Sequence, residues 1–228
     1  MNEGMAMDER GMMTLIRELQ LPLLHITQQA ELYERTHQIS LEHISTSTRH
    51  AMLLIENYLL LQAVRQQSLN LEPVSVSSVL YDVAHSLQPL ARQYDCKVQL
   101  HIEGKYQPVV SNRSVLMAAL RSLGMSLIVS ATRPKSIFSL NVHKTGQGVA
   151  AGAYGEINGL SEKHLRQARS LYGQARQPLQ SFSAQAGAGI FIADELLRLL
   201  GSELHATQRH NQKGLATILK PSRQLALV

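Results

Sequence analysis

The sequence predicts an α+β fold, in which an N-terminal antiparallel helical hairpin is followed by an α/β sandwich with a mixed sheet. Apolar residues recur at four-three spacing over Met12–Tyr33, and they alternate with polar residues over Lys97–Glu103. The first pattern is typical of a helical packing seam and the second of a half-buried strand. The helical pattern ends at Pro73. We therefore expect two domains, a hairpin over residues 1–68 and a larger unit over residues 75–228.

The hairpin is predicted from two successive helical patterns. The seam of the first helix contains positions 12, 16, 19, 23, 26, 30 and 33, and a polar break follows at Thr36–Gln38. The second pattern contains Leu41, Ile44, Thr48, Ala51, Ile55 and Tyr58. A two-helix hairpin leaves one apolar side uncovered, so we expect two copies of the chain to form a four-helix bundle as a homodimer.

The second part mixes helical and strand patterns, which predicts helices that cover one face of a mixed sheet. The helix over Asn112–Ser130 has its core side at Leu116, Leu120, Leu123 and Leu127. The other expected elements are a helix over 75–94, strands over Lys97–Glu103, Ile137–His143 and Gly148–Tyr154, a helix over 161–172, a helix from Gly187 to about Leu200, and a terminal hairpin of Glu203–Thr207 with Leu215–Leu219.

Composition excludes several classes of protein. Cys96 is the only cysteine, which excludes an internal disulfide and a thiolate metal cluster. No apolar run approaches the roughly 18 residues of a membrane span, and the first residues lack the order of a signal peptide. We therefore expect a cytoplasmic protein without membrane insertion. The net charge is +5 and residues 161–228 carry all of the excess, but aromatic residues make up only 4% and no nucleic-acid-binding signature is present, so we expect no nucleic-acid partner.

Three segments resemble motifs of the sensor histidine kinases. Arg17–Leu23 is similar to their phospho-acceptor box, Leu53–Leu60 to the end of the second hairpin helix, and Gly187–Ala193 to their second glycine box. The resemblance covers roughly residues 12–221. It implies that the hairpin is a dimerisation hairpin, that residues 75–228 form a histidine-kinase-type ATPase domain, and that the chain acts in two-component signal transduction.

In the acceptor box, Arg17 stands where the resemblance places the phosphorylated histidine. Glu18 matches the adjacent carboxylate, and Pro22 follows at the expected distance. A guanidinium remains protonated and has no lone pair that can attack phosphorus. We therefore predict that Arg17 cannot be the acceptor. His25, in the same predicted helix, is the alternative phospho-acceptor.

The resemblance also locates the positions that would hold magnesium. The family carries two asparagines one helical turn apart, and the matching residues here are Ser122 and Ser126. A serine hydroxyl is shorter and is a poorer ligand for a cation that requires near-octahedral oxygen geometry. We expect no magnesium site.

The two glycine boxes give a mixed result. In the first box, Gly155 replaces the aspartate that would accept a hydrogen bond from adenine, while Gly159 remains. In the second box, Gly187 and Gly189 remain, and glycines before a helix allow backbone amides to approach phosphates. The sequence therefore predicts that ATP binds weakly if at all.

These replacements favour a catalytically degenerate histidine-kinase-like protein, or pseudokinase. The hypothesis is a dimeric scaffold that binds a response regulator or a sensor kinase. One alternative is a histidine phosphotransferase that relays phosphate through His25. Another is a protein that still binds ATP, without metal, as an allosteric ligand.

Overall fold

The computed structural model describes residues 19, 23–24, 26–28, 30–31, 33, 41–66, 68–130, 135–155, 165 and 187–222. The described positions between 19 and 33 are helical, as the seam predicts. The helices that follow are α1 (Leu41–Gln66), α2 (Val76–Gln93), α3 (Arg113–Val129) and α4 (Gly187–Leu199). Within the described residues, no helix combines the length and the apolar character that a bilayer span requires.

The strands of the described residues form two sheets. They are β1 (Glu72–Val74), β2 (Cys96–Glu103), β3 (Val109–Ser111), β4 (Ser136–Lys144), β5 (Val149–Gly155), β6 (His205–Arg209) and β7 (Gln212–Leu219). The main sheet has the order β2-β4-β5-β7-β6, and β1 pairs with β3 in a small antiparallel sheet. β2 and β4 are parallel, with Leu100 opposite Leu140, and the other neighbours are antiparallel. The mixed sheet predicted from the sequence is confirmed.

Side-chain caps explain where α2 and α3 begin. The Ser75 hydroxyl accepts a hydrogen bond from the Ser78 N–H at 3.4 Å, and the Asn112 Oδ1 accepts one from the Val115 N–H at 3.1 Å. Each cap satisfies a backbone donor that has no partner within its helix. These caps fix the two helices that pack on the sheet.

One apolar core joins the helices to the sheet. α2 and α3 pack on the sheet, and α4 packs against α3. The leucines predicted on the core side of α3 are all buried, and Phe138, Leu140 and Val142 of β4 face them in the same cluster. Leu54 and Leu61 of α1 also belong to this cluster. The second hairpin helix therefore packs against the larger unit.

The structure contains two short strands that the sequence patterns do not predict. β1 includes Pro73, which pairs with Val110 of β3. A strand of three residues is too short to show alternation, and proline usually argues against a strand. A strand of this kind can therefore be recognised only when the strand that it pairs with is known.

The predicted terminal hairpin is present, but its first strand begins two residues later than expected, at His205, and both strands extend further toward the turn. The prediction ended the first strand at Thr207 and began the second at Leu215. The turn lies at His210 and Asn211, which have φ values of 46° and 64°. Two left-handed residues are typical of a tight hairpin turn, but they are usually Asn-Gly or Asp-Gly. The predicted helix over 161–172 has only Leu165 within the described residues, where it is helical and buried.

Candidate functional site

Ser122, the first of the two predicted magnesium positions, forms a buried contact with the hairpin helix. Its side chain is 0% exposed, and its Oγ accepts a hydrogen bond from Asn57 Nδ2 at 2.7 Å. Asn57 lies on α1 and is itself buried. Its Oδ1 accepts a second hydrogen bond, at 3.3 Å, from the guanidinium of Arg121. The Ser122 hydroxyl therefore joins α3 to α1.

The surroundings of Asn57 carry a partly buried positive charge. Burial lowers the pKa of the Arg121 guanidinium, and the nearby Glu56 carboxylate opposes this shift. Arg121 Nε has no hydrogen-bond partner among the described residues. Like charges repel strongly in such an environment. A divalent cation near Ser122 would therefore be disfavoured by electrostatics as well as by the choice of ligand.

Ser126, the second predicted position, lies one turn further along α3 and packs against Gly189 of α4. A Cβ added to Gly189 would lie 2.8 Å from the Ser122 carbonyl oxygen and closer still to Ser126 Oγ. The space between the helices is therefore smaller than a methyl group at this point. Magnesium binds oxygen at about 2.0–2.1 Å and usually keeps several waters. The arrangement of Ser122 and Ser126 does not fit such an ion.

Gly155 occupies the last position of β5 and takes part in the sheet. It is buried and pairs with Lys213 of β7. As a glycine it offers no side-chain acceptor for an adenine amine. Gly187 is the first residue of α4, close in sequence to Gly189. The other predicted site residues, Arg17, Glu18, His25 and Gly159, lie outside the described residues.

A second polar contact, which the sequence patterns do not reveal, joins α1 to α4. A guanidinium nitrogen of Arg65 lies 2.5 Å from a carboxylate oxygen of Glu195, whose side chain is 10% exposed. Arg198 of α4 also contacts Glu195, at 3.4 Å. Two partners stabilise a carboxylate that would be costly to bury alone. α1 is thus connected to the larger unit at two points.

The opposite face of α1 is apolar and exposed. Met52, Ile55 and Leu59 are 56%, 39% and 60% exposed, and they follow the spacing of a packing seam. In the first helix, Leu23 and Tyr33 are also exposed. Exposed large apolar side chains at seam spacing indicate a surface for another helix. This face is distinct from the one that carries Leu54 and Asn57.

Comparison with known proteins finds likeness in structure. No family model matches the sequence, and no curated protein matches it. A histidine kinase from Acinetobacter baumannii, AdeS, matches with a TM-score of 0.58 and 13% identity over 90% of this chain and 98% of that chain. Full-length ShkA in complex with AMPPNP matches with a TM-score of 0.55 and 13% identity over 96% of this chain and 46% of that chain. A bacterial phosphotransferase matches with a TM-score of 0.51 and 11% identity over 92% of this chain and 94% of that chain.

These matches define the class of fold. The chain has the α+β fold of the histidine kinases, with helices followed by a helix-covered mixed sheet. At such low identities the likeness concerns the fold and not the chemistry. The chemistry depends on the side chains described above.

Proposed function

We propose that the chain is a catalytically degenerate histidine-kinase-like protein that acts as a dimeric scaffold. The observation that carries the proposal is that the Ser122 side chain takes part in helix packing. Its hydroxyl is bonded to Asn57, and the adjacent turn at Ser126 packs directly on Gly189. Residues that would hold a metal–phosphate group in an active kinase instead serve helix packing.

The acceptor position supports the same proposal from chemistry alone. Arg17 cannot form a phosphoramidate because its guanidinium has no free lone pair at neutral pH. Gly155 lacks the side-chain oxygen that would accept from adenine. Losses at Arg17, at Ser122 and Ser126, and at Gly155 affect three separate steps, namely phosphate acceptance, metal binding and base recognition. A kinase needs all three.

The polar contacts between α1 and the sheet domain support a scaffold role. The Asn57–Ser122 hydrogen bond and the Arg65–Glu195 ion pair hold α1 in one orientation against α3 and α4. A fixed helix presents its other face at low entropic cost to a binding partner. The proposed partners are a response regulator or a sensor kinase, which the hairpin of the kinase fold would contact.

The exposed seam of α1 is proposed as the dimer interface, with a second copy of the chain as its occupant. Leu59→Glu places a charge on that seam and should convert a dimer to a monomer in light scattering. Tyr81→Glu is a matched control, because Tyr81 is 66% exposed but lies on α2. A wild-type monomer, or an unchanged mass for the Leu59 variant, would contradict this interface.

The lack of catalysis is tested by incubating the purified chain with γ-labelled ATP and magnesium. The same incubation is repeated with a purified sensor kinase that supplies phosphate. We expect no stable label on the chain in either case. Label that survives denaturing electrophoresis would show that a side chain accepts phosphate and would overturn the scaffold proposal.

A histidine phosphotransferase is the second candidate, favoured by the structural match to a bacterial phosphotransferase over 92% of this chain. Under this hypothesis, His25 or another hairpin histidine relays phosphate while the sheet domain serves as support. It requires acid-labile phosphate on the hairpin and loss of transfer in His25→Ala. Calorimetric titration with ATP and ADP, with and without magnesium, separates both candidates from a protein that binds ATP as an allosteric ligand.

A further inference from the structure

A cavity of about 560 Å³ lies at the far end of the sheet from Gly155. It is lined by Lys105–Gln107 between β2 and β3, by Lys144–Val149 at the β4–β5 turn, and by Pro221 beyond β7. β5 runs from Val149 at the cavity to Gly155. At about 3.3 Å per residue, the two ends of this strand are about 20 Å apart. The cavity is therefore separate from the degenerate nucleotide region.

The turn that forms one wall is held by its own hydrogen bonds. The Thr145 N–H donates to the Gly148 carbonyl at 2.7 Å, and Thr145 Oγ1 accepts from the N–H groups of Gln147 and Gly148 at 3.3 and 3.0 Å. Gly148 also lies so close to the Leu219 carbonyl that a Cβ would clash with it. The wall therefore has a defined shape.

The opposite wall is fixed by the chain beyond β7. The Val110 N–H donates to the Lys220 carbonyl at 3.0 Å, and the Ser222 N–H donates to the Pro108 carbonyl at 2.7 Å. These bonds tie Pro221 to the β2–β3 loop. A cavity whose walls are held in this way loses little entropy when a ligand binds.

The charge around the cavity is positive. Lys105 and Lys144 are exposed, and neither forms an ion pair with any of the described residues. None of the described residues that line the cavity is acidic. The nearest carboxylate along the chain, Glu103, is paired with Arg209. Two free ammonium groups in such a setting attract an anion.

We propose that this cavity binds a small phosphorylated ligand of about mononucleotide size. The ammonium groups of Lys105 and Lys144 would contact the phosphate as charge-assisted donors. The volume lies within the range of small-molecule sites, about 300–1,000 Å³, and far exceeds a bare phosphate. Tyr106, which also lines the cavity, has a buried hydroxyl without a hydrogen-bond partner among the described residues.

Calorimetric titration of the full chain tests this site, with AMP as the probe and adenosine as its uncharged counterpart. We expect AMP to bind at least about tenfold more tightly than adenosine, and the double variant Lys105→Gln/Lys144→Gln to weaken AMP binding at least about tenfold. Lys97→Gln is the matched control, because Lys97 is an exposed lysine at the other end of β2. It should leave AMP binding unchanged.

A second pair of variants tests whether AMP binds in this cavity. A Cβ at Gly146 meets no heavy atom within 4 Å, so a side chain fits there without disturbing the turn. Gly146→Glu should abolish AMP binding by repulsion, whereas Gly146→Ala should preserve it. The proposal is wrong if AMP does not bind at millimolar concentration, if adenosine binds equally well, or if the lysine and glutamate variants bind AMP as the wild type does.

Discussion

Replacing Asn57 with alanine tests whether α1 and α3 are joined by a polar contact that contributes to stability. The side chain is 1% exposed and forms two hydrogen bonds, to Ser122 Oγ at 2.7 Å and from Arg121 at 3.3 Å. The substitution removes both bonds. It leaves a hydroxyl and a guanidinium buried without this partner.

The expected loss of stability follows from the two hydrogen bonds that Asn57 forms. A neutral hydrogen bond contributes about 0.5–1.5 kcal/mol net, and one to a charged group about 1.5–3 kcal/mol. Asn57→Ala should therefore lower the free energy of unfolding by about 2–4 kcal/mol. This is a large share of the roughly 5–15 kcal/mol of a typical protein. Urea unfolding followed by circular dichroism measures it.

A double-mutant cycle isolates the bond between the two helices. Asn57→Ala, Ser122→Ala and the double variant should give an interaction energy of about 0.5–1.5 kcal/mol. Gln66→Ala is the control, since Gln66 is exposed in the last turn of α1. This substitution should change the free energy of unfolding by no more than about 0.5 kcal/mol. An interaction energy under about 0.3 kcal/mol, or equal losses for Asn57 and Gln66, would refute the contact.

Two further predictions concern charged pairs. Arg65→Met should lower the free energy of unfolding by about 1–3 kcal/mol in urea, less than for a fully isolated buried charge, because Arg198 still contacts Glu195 at 3.4 Å. Glu103 has its pKa lowered from 4.5 to about 2, chiefly by a hydrogen bond from Arg209. The stabilisation that the ionised Glu103 carboxylate provides should therefore be complete above pH 4.5 and be lost as the pH falls toward 2. The urea midpoint of Glu103→Gln should consequently depend less on pH over this window than the urea midpoint of the wild type does.

The elements that could be predicted are those with a strong local pattern. The leucines at 116, 120, 123 and 127 repeat at helical spacing, and all are at most 3% exposed on α3. The alternation over Lys97–Glu103 likewise gives β2, which begins one residue earlier, at Cys96. Burial on one face imposes the helical period of α3, so that period is visible in the sequence without knowledge of the partner element. In β2 the burial does not follow the alternation to the end of the strand, because Ile102 is 48% exposed.

The contacts of the candidate site could not be predicted in the same way. Asn57 lies in the apolar run Leu53–Leu60 next to Glu56, which is exposed, so the run itself does not indicate which polar residue is buried. The partner of Asn57, Ser122, is 65 positions further along the chain, and nothing local to either residue indicates the other. The Arg65–Glu195 pair spans 130 positions. Pairings of this kind depend on how α1 docks against the sheet domain, which no single segment determines.

The glycines of the predicted second glycine box have two explanations that a single substitution can separate. If Gly189 is kept for helix packing, Gly189→Ala should destabilise the protein without any nucleotide, because its Cβ would lie 2.8 Å from the Ser122 carbonyl oxygen and closer to Ser126 Oγ. Strain of this kind costs about 1–3 kcal/mol, and the helix propensity of alanine returns up to about 1 kcal/mol.

Ser126→Ala removes one of the two clashing oxygens, so the loss caused by Gly189→Ala should be smaller in that background. Urea unfolding of the four variants gives this difference directly. If the glycine instead serves phosphate binding, Gly189→Ala should not lower the free energy of unfolding, and it should alter the titration with ATP. Because the close approach of α4 to α3 involves a backbone oxygen that cannot rotate away, we expect the packing explanation to hold.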